Sequence, residues 1–260
     1  MCSSDLLVYV DDMLLFAKLT SIISFKEQLA EMFPTTDLGE ARWILNMEII
    51  RDRKARMITI SQQRYVETIL DRHGMSDCRP IAAPMTVGLK LTKLTEPEVD
   101  IWDYQSRLGA LMYAMLGTHP ELAFAIAILS QHSATPGKAH LATLNRVFHY
   151  LQKVSSMKLT FGGTSTSLTL SGYVDADWAN DINDRRSVGG YVFLLAGGAV
   201  SWSAQKQKIM AQSSTEAEYV AGALATNEAI WLRRLLSEID HTQPNVTEIL
   251  TDNQASISLT

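Results

Sequence analysis

Leu168 to Asp177 reads LTLSGYVDAD, and this stretch decides the fold of the C-terminal part of the chain. Thr169, Ser171, Tyr173 and Asp175 alternate with Leu168, Leu170, Gly172 and Val174, the period-two pattern of a half-buried strand. Asp175 and Asp177 then share one face at the strand's end. Carboxylates placed there need acids from later segments to complete a site for a divalent cation.

Two later stretches supply them. Ser213-Ser214-Thr215-Glu216 fits a capping box, with Ser213 as N-cap and Glu216 reaching back from the third helical position, so Glu216 has a local task. At ~100° per residue, the helical stripe centred on Glu218 carries Gly222, Ala225, Ala229, Leu232, Leu236 and Ile239 and faces a core. The opposite stripe, with Glu216, Asn227, Arg234 and Glu238, faces water. Glu218 is therefore an acid at the head of a buried face, which is costly unless it is paired or holds a cation. Asp252 follows the apolar run Ile249-Leu250-Thr251 and precedes a helix start at Asn253-Gln254-Ala255-Ser256; it reads equally as an N-cap and as a ligand. Between these segments, Gly189 to Leu195 (GGYVFLL) and Ala199 to Ser203 (AVSWS) form a hairpin across Gly197-Gly198.

Taken together, DADWA, RRSVGGYVFLL, SSTEAEY, WLRRLL and TDNQ resemble the ribonuclease H domain of Ty1/copia-type retrotransposon polyproteins, from about Gly172 onward. The resemblance implies that Asp175, Glu218 and Asp252 hold two metal ions, roughly 4 Å apart, astride the scissile phosphate of an RNA-DNA hybrid. Asp177 is the rival of Asp175. All-oxygen ligands point to Mg²⁺ or Mn²⁺ over zinc.

The N-terminal part carries its own motif. Leu6 to Val10 and Met13 to Phe16 are apolar runs separated by Asp11-Asp12, a tight hairpin with two carboxylates at its tip. YVDD between such runs resembles the active-site hairpin of reverse transcriptases, which implies that Asp11 and Asp12 bind metals beside a primer-template nucleic acid. Ser24 to Phe33 reads as helix. Trp43 to Ile50 and Met57 to Ile60 read as two strands joined by the charged turn Arg51 to Arg56, a primer-grip-like hairpin in which the copia family usually has glycine where this chain has Asn46. A short helix from about Gln62 to His73 follows. From Asp103 to Lys153 the period is helical, with apolar stripes Leu108, Leu111, Met112 and Met115, then Leu122, Ile126 and Leu129, then Leu141, Leu144, Phe148 and Leu151. This segment resembles the polymerase thumb, with His119-Pro120-Glu121 where the family commonly has Arg-Pro-Asp. His119, His140 and His149 read as packing or surface residues, since no Cys or acid lies at metal-ligand spacing.

The expected fold class is mixed α/β (α+β). Residues 1–77 are expected as a partial reverse-transcriptase palm, 78–102 as a linker, 103–154 as a thumb-like helical segment, 155–167 as a Gly/Ser/Thr-rich linker, and 168–260 as a ribonuclease H-like mixed-sheet domain. A composition of 260 residues, 47% hydrophobic and 20% charged, suits a soluble globular protein of two or three small domains. The net charge of −5 argues against nucleic-acid binding through bulk charge, so basic contacts are expected to be local, with Lys206 and Lys208 the best placed. Cys2 and Cys78 make no disulfide framework and fit a reducing compartment. No signal peptide or membrane span is legible, so cytoplasmic or nuclear placement is expected. The resemblance also implies palm sequence before Met1 and a further acidic segment after Thr260. The chain is therefore expected to be part of a longer polyprotein, without polymerase activity of its own. A catalytically inactive remnant that at most binds nucleic acid is the alternative to a working ribonuclease H.

Overall fold

The apolar runs around Asp11 form an antiparallel hairpin, β1 (Asp5–Tyr9) and β2 (Asp12–Phe16), in register from Asp5↔Phe16 to Tyr9↔Asp12. Val10 turns the chain at φ 52°, a left-handed conformation rarely adopted by β-branched residues. Helix α1 (Leu19–Met32) follows and buries no residue. Leu7, Val8, Phe16, Leu19 and Met32 are all more than half exposed, so this unit has the composition of a core without one.

The structure, a computed structural model, describes residues 4–163 and 167–258; Cys2 and residues 164–166 of the expected connector lie outside the described residues. Strands β3 (Trp43–Ile44), β4 (Met47–Asp52) and β5 (Met57–Ser61) form an antiparallel sheet. The sequence pattern suggested a single strand from Trp43 to Ile50. Instead Leu45 and Asn46, at φ 50° and 57°, make a two-residue turn that splits it. Asparagine tolerates that conformation, so Asn46 can occupy a turn position where glycine is usual. The expected connector 155–167 is corrected in the same sheet. Its residues Leu159–Gly162 form strand β6, paired with β5 from Met57↔Gly162 to Ile60↔Leu159. Pairing with a strand about a hundred residues away leaves no local signal in a Gly/Ser/Thr-rich stretch.

Helices α2 (Gln63–Arg72), α3 (Ile101–Gly117), α4 (Ala123–Ser130) and α5 (Lys138–Val154) pack around Val66, Ile69, Leu111, Leu122, Ile126, Leu144, Phe148 and Leu151. All three apolar stripes read from the sequence face this core. Helix α2 belongs to it too, and the segment between α2 and α3 lays Leu91 into it, with Met85 and Leu89 alongside. The expected 78–102 linker is thus a strap held on the bundle. His119 and His140 are buried, and His149 Nδ1 meets Arg79 O at 2.8 Å.

The C-terminal unit is a four-stranded mixed sheet in the order β10-β7-β8-β9. Its strands are β7 (Ser171–Asp177), β8 (Val188–Leu195), β9 (Gly198–Lys206) and β10 (Glu248–Leu250). Neighbours in the β7-β8-β9 meander are antiparallel, and β10 runs parallel to β7. Helix α6 (Ser214–Glu238) crosses one face. Leu170, Val174 and Phe193 of the sheet side meet Ala221, Ala225, Ala229, Leu232 and Leu236 of the helix; this is the stripe expected from its periodicity, except that Ala221 takes the place expected for Gly222. Small residues let the layers approach: a Cβ added to Gly189 would lie 3.0 Å from that of Ala221. Helix α7 (Gln254–Ile257) ends the described chain. On the other face of the sheet, α4 packs against β9, and Trp202 donates its indole N–H to Met115 O at 3.1 Å. The whole is a mixed α/β fold with helices and sheets largely segregated along the chain. No helix among the described residues is long and apolar enough to cross a membrane.

Candidate metal centre

Strand β7 brings Asp175 to the open end of the sheet, and α6 approaches from one side. Ser213 caps α6, its hydroxyl accepting from Glu216 N at 3.1 Å. The Glu216 carboxylate reaches back, one residue beyond the cap, to Gln212 N at 2.7 Å. The Glu216 side chain thus serves the helix start. Two residues further, Glu218 enters the core-facing stripe and is only 6% exposed.

Asp252 enters from the third side. The N-cap of α7 is Asn253, whose side chain accepts from Ser256 N at 2.9 Å. That leaves Asp252 free of the capping task that the sequence allowed it. The parallel pairing of β10 with β7 carries it alongside the strand end. One carboxylate oxygen each from Asp175, Glu218 and Asp252 lies within 4.8 Å of the others.

The electrostatics of this group are unfavourable as it stands. Ala176 N–H donates to Glu218 Oε1 at 3.1 Å and to Asp175 Oδ1 at 2.8 Å. Glu218 Oε2 is buried and has no hydrogen-bond partner. Burial raises the Glu218 carboxyl above its ordinary range; the Ala176 N–H opposes this, and the neighbouring Asp175 and Asp252 charges add to it. A buried oxygen without a partner, on a carboxylate clustered with two more, fits a divalent cation: the donors are all hard oxygens, and the cation would supply the charge they lack.

The structure separates the two aspartates of DAD. Asp175 joins the cluster, whereas Asp177 accepts from the Asn180 amide in the following loop. Asp11 and Asp12 sit at the exposed tip of the β1–β2 hairpin, and among the described residues no third acid or histidine joins them. Lys208 is exposed beside the approach to α6. Lys206, expected from the sequence as a nucleic-acid contact, has its ammonium held by Asp181, Asp184 and Gln131. A lysine so held has no free donor geometry to offer a phosphate. Sequence reasoning missed Asp181 and Asp184 because their partner is a strand away.

Comparison with known proteins places the chain in a family. Residues 3–87 match the family described as Reverse transcriptase (RNA-dependent DNA polymerase). The chain is 39% identical over 262 residues to the Retrovirus-related Pol polyprotein from transposon TNT 1-94 of Nicotiana tabacum, covering 98% of this chain and 20% of that protein. It is 34% identical over 240 residues to the Pol polyprotein from transposon RE1 of Arabidopsis thaliana, covering 90% of this chain and 16% of that protein. The transposon Ty5-1 protein of Saccharomyces cerevisiae is 32% identical over 219 residues, 83% of this chain and 70% of that protein. The chain belongs to the copia-type retrotransposon Pol polyproteins. It spans about a fifth of the length of the Pol polyproteins it matches first, and the TNT 1-94 match runs across the hairpin, the helical bundle and the metal centre alike. No solved structure matches it.

Proposed function

We propose that the C-terminal unit of this copia-type Pol chain is a metal-dependent ribonuclease H that cuts the RNA strand of RNA-DNA hybrids. The observation that carries the reading is the buried Glu218, one oxygen unpartnered, clustered with Asp175 and Asp252. Asp175, Glu218 and Asp252 would hold Mg²⁺ or Mn²⁺. When bound, such a metal pair lowers the pKa of an attacking water and stabilises the leaving oxygen.

The chain's own contribution is preorganisation. The Ala176 N–H holds Glu218 and Asp175 side by side, so little reorganisation is needed on loading. Burial of Glu218 excludes water from one side of the cluster, while Asp175 stays open to a substrate on the other. Lys208 is an exposed cation available to a hybrid backbone. Asp11 and Asp12, within the segment that matches reverse transcriptases, are the proposed metal ligands of the parent polymerase, acting on a primer-template.

The test is cleavage of a labelled RNA-DNA hybrid by the purified chain in Mg²⁺ and in Mn²⁺. Cutting that both Asp175→Asn and Glu218→Gln abolish is the expected result. A folded chain that leaves the hybrid intact would replace this reading with that of an inactive remnant.

A further inference from the structure

The loop between β7 and β8 is fastened by two sets of contacts. Asp177, Val188 and Lys206 are register partners across β7, β8 and β9 and so share one face of the sheet. That face is turned away from α6, because Gln207, next to Lys206, points the other way and donates to Ala217 O of α6 at 2.8 Å. The Lys206 ammonium meets Asp181, Asp184 at 2.8 Å, and Gln131 Oε1 at 3.1 Å just past the end of α4. The Lys206 and Asp181 side chains are only 17% and 8% exposed. Charges this dry persist only with close partners on every side, and removing one partner leaves the others uncompensated.

The strap at 90–93, which lies on the same helical bundle, holds the loop as well. Lys90 donates to the Asn180 carbonyl at 3.0 Å and to its side-chain oxygen, Lys93 N–H donates to Asn183 Oδ1 at 2.9 Å, and Asn183 Nδ2 donates to Leu91 O at 3.2 Å. This loop starts where β7 ends. Asn180 bonds Asp177, and Trp178 donates to Ala211 O at 3.1 Å, on the approach to α6. A shift in the loop therefore moves the strand end that presents Asp175 to Glu218.

We propose that Lys206, with Asp181, Asp184 and Gln131, is a positioning group that fastens the helical bundle to the sheet and thereby holds the end of β7 in register with Glu218. The proposal rests in part on the metal reading above. It assigns to Lys206 an effect on metal affinity although Lys206 is not a ligand.

The test compares the full chain with Lys206→Met and Lys206→Arg, reading hydrogen exchange across residues 175–187 and calorimetric binding of Mn²⁺ alone. Lys206→Met is expected to speed exchange there and to weaken Mn²⁺ about 10-fold, the scale on which residues supporting metal ligands act; Lys206→Arg, which keeps the charge, is expected to restore both. Wild-type Mn²⁺ affinity in folded Lys206→Met, with or without faster exchange, would overturn the proposal. Should Lys206→Met fail to fold, Gln131→Leu removes an uncharged partner of the same group and carries the same two readouts. If the wild type binds no Mn²⁺ and Glu218→Gln changes nothing, the metal reading fails, and unchanged exchange across 175–187 in Lys206→Met would overturn the fastening as well.

Discussion

The β1–β2 hairpin and the β7–β10 sheet each present an aspartate motif, yet they present it in opposite ways. In the hairpin, Asp11 and Asp12 are neighbours in sequence, exposed, and supported by strands and a helix that bury nothing. In the sheet, three acids from three elements converge, and one of them is buried with an oxygen that nothing satisfies. The hairpin's chemistry is written locally and its support is missing from the described residues. The sheet's chemistry exists only because packing of α6 and pairing of β10 bring distant acids together. An exposed acid pair costs the fold little, whereas a cluster built round a buried acid stores repulsion that a cation relieves.

The comparison can be broken first at the level of support. Phe193→Ala, which empties a fully buried site under α6, should cost about 3–5 kcal/mol. Phe16→Ala in the half-exposed hairpin should cost less than about 0.5 kcal/mol. Denaturant unfolding followed by circular dichroism measures both, and equal losses would mean that the hairpin has a core after all.

Function should divide the same way. Asp175→Asn and Glu218→Gln are expected to lower hybrid cleavage by about 10²–10³-fold, since a metal contributes several kcal/mol of charge stabilisation at about 1.4 kcal/mol per tenfold. Asp11→Asn should leave cleavage within about 2-fold. Initial rates on one hybrid substrate decide between shared and separate sites.

Metal loading gives a smaller, equilibrium effect. Mn²⁺ at about 100 times its dissociation constant should stabilise the chain by about 2.7 kcal/mol. Glu218→Gln should abolish that gain while raising the melting temperature of the metal-free chain, because it removes the buried charge. Thermal melts with and without Mn²⁺ read both, and a Glu218→Gln chain less stable than wild type without metal would show that the cluster is already satisfied.

The smallest effect is on the seam between bundle and sheet. Burial works against ionised Asp181, but Lys206 and Asn183 overcome it and hold its carboxyl at about 2. Its folded value lies below its unfolded one, so its contribution is present above about pH 4 and is lost as pH falls toward about 2. His132, facing His140, Asp181, Lys93 and Lys206, is held at about 4, chiefly by burial. The unfolded histidine takes up a proton before the folded one does, so stability also falls between about pH 6.5 and 4. Exchange protection at the seam should therefore decline in two steps on acidification, with Asp181→Asn flattening the lower step and His132→Gln the upper. The β1–β2 hairpin should show neither.

Local periodicity and end signals were legible in the sequence. The alternation of β7, the buried stripe of α6 with Glu218 at its head, the Ser213 cap and the three helical stripes of the bundle are all present in the structure. Each depends on residues a few positions apart, whose preferences survive in almost any context. What the pattern left open was settled by contacts across long separations. Asp252 escapes capping because Asn253 caps instead, Asp177 goes to Asn180 while Asp175 goes to Glu218, and β6 forms because β5 is waiting for it. Lys206 changed roles for the same reason. A cation in the sequence has no fixed partner, and only the docking of α4 and the β7–β8 loop beside β9 decided that this one would be enclosed by carboxylates. The chain's sequence thus determined which elements form and which acids are costly to bury; the tertiary structure alone decided which of those acids meet, because meeting depends on the packing of surfaces far apart along the chain.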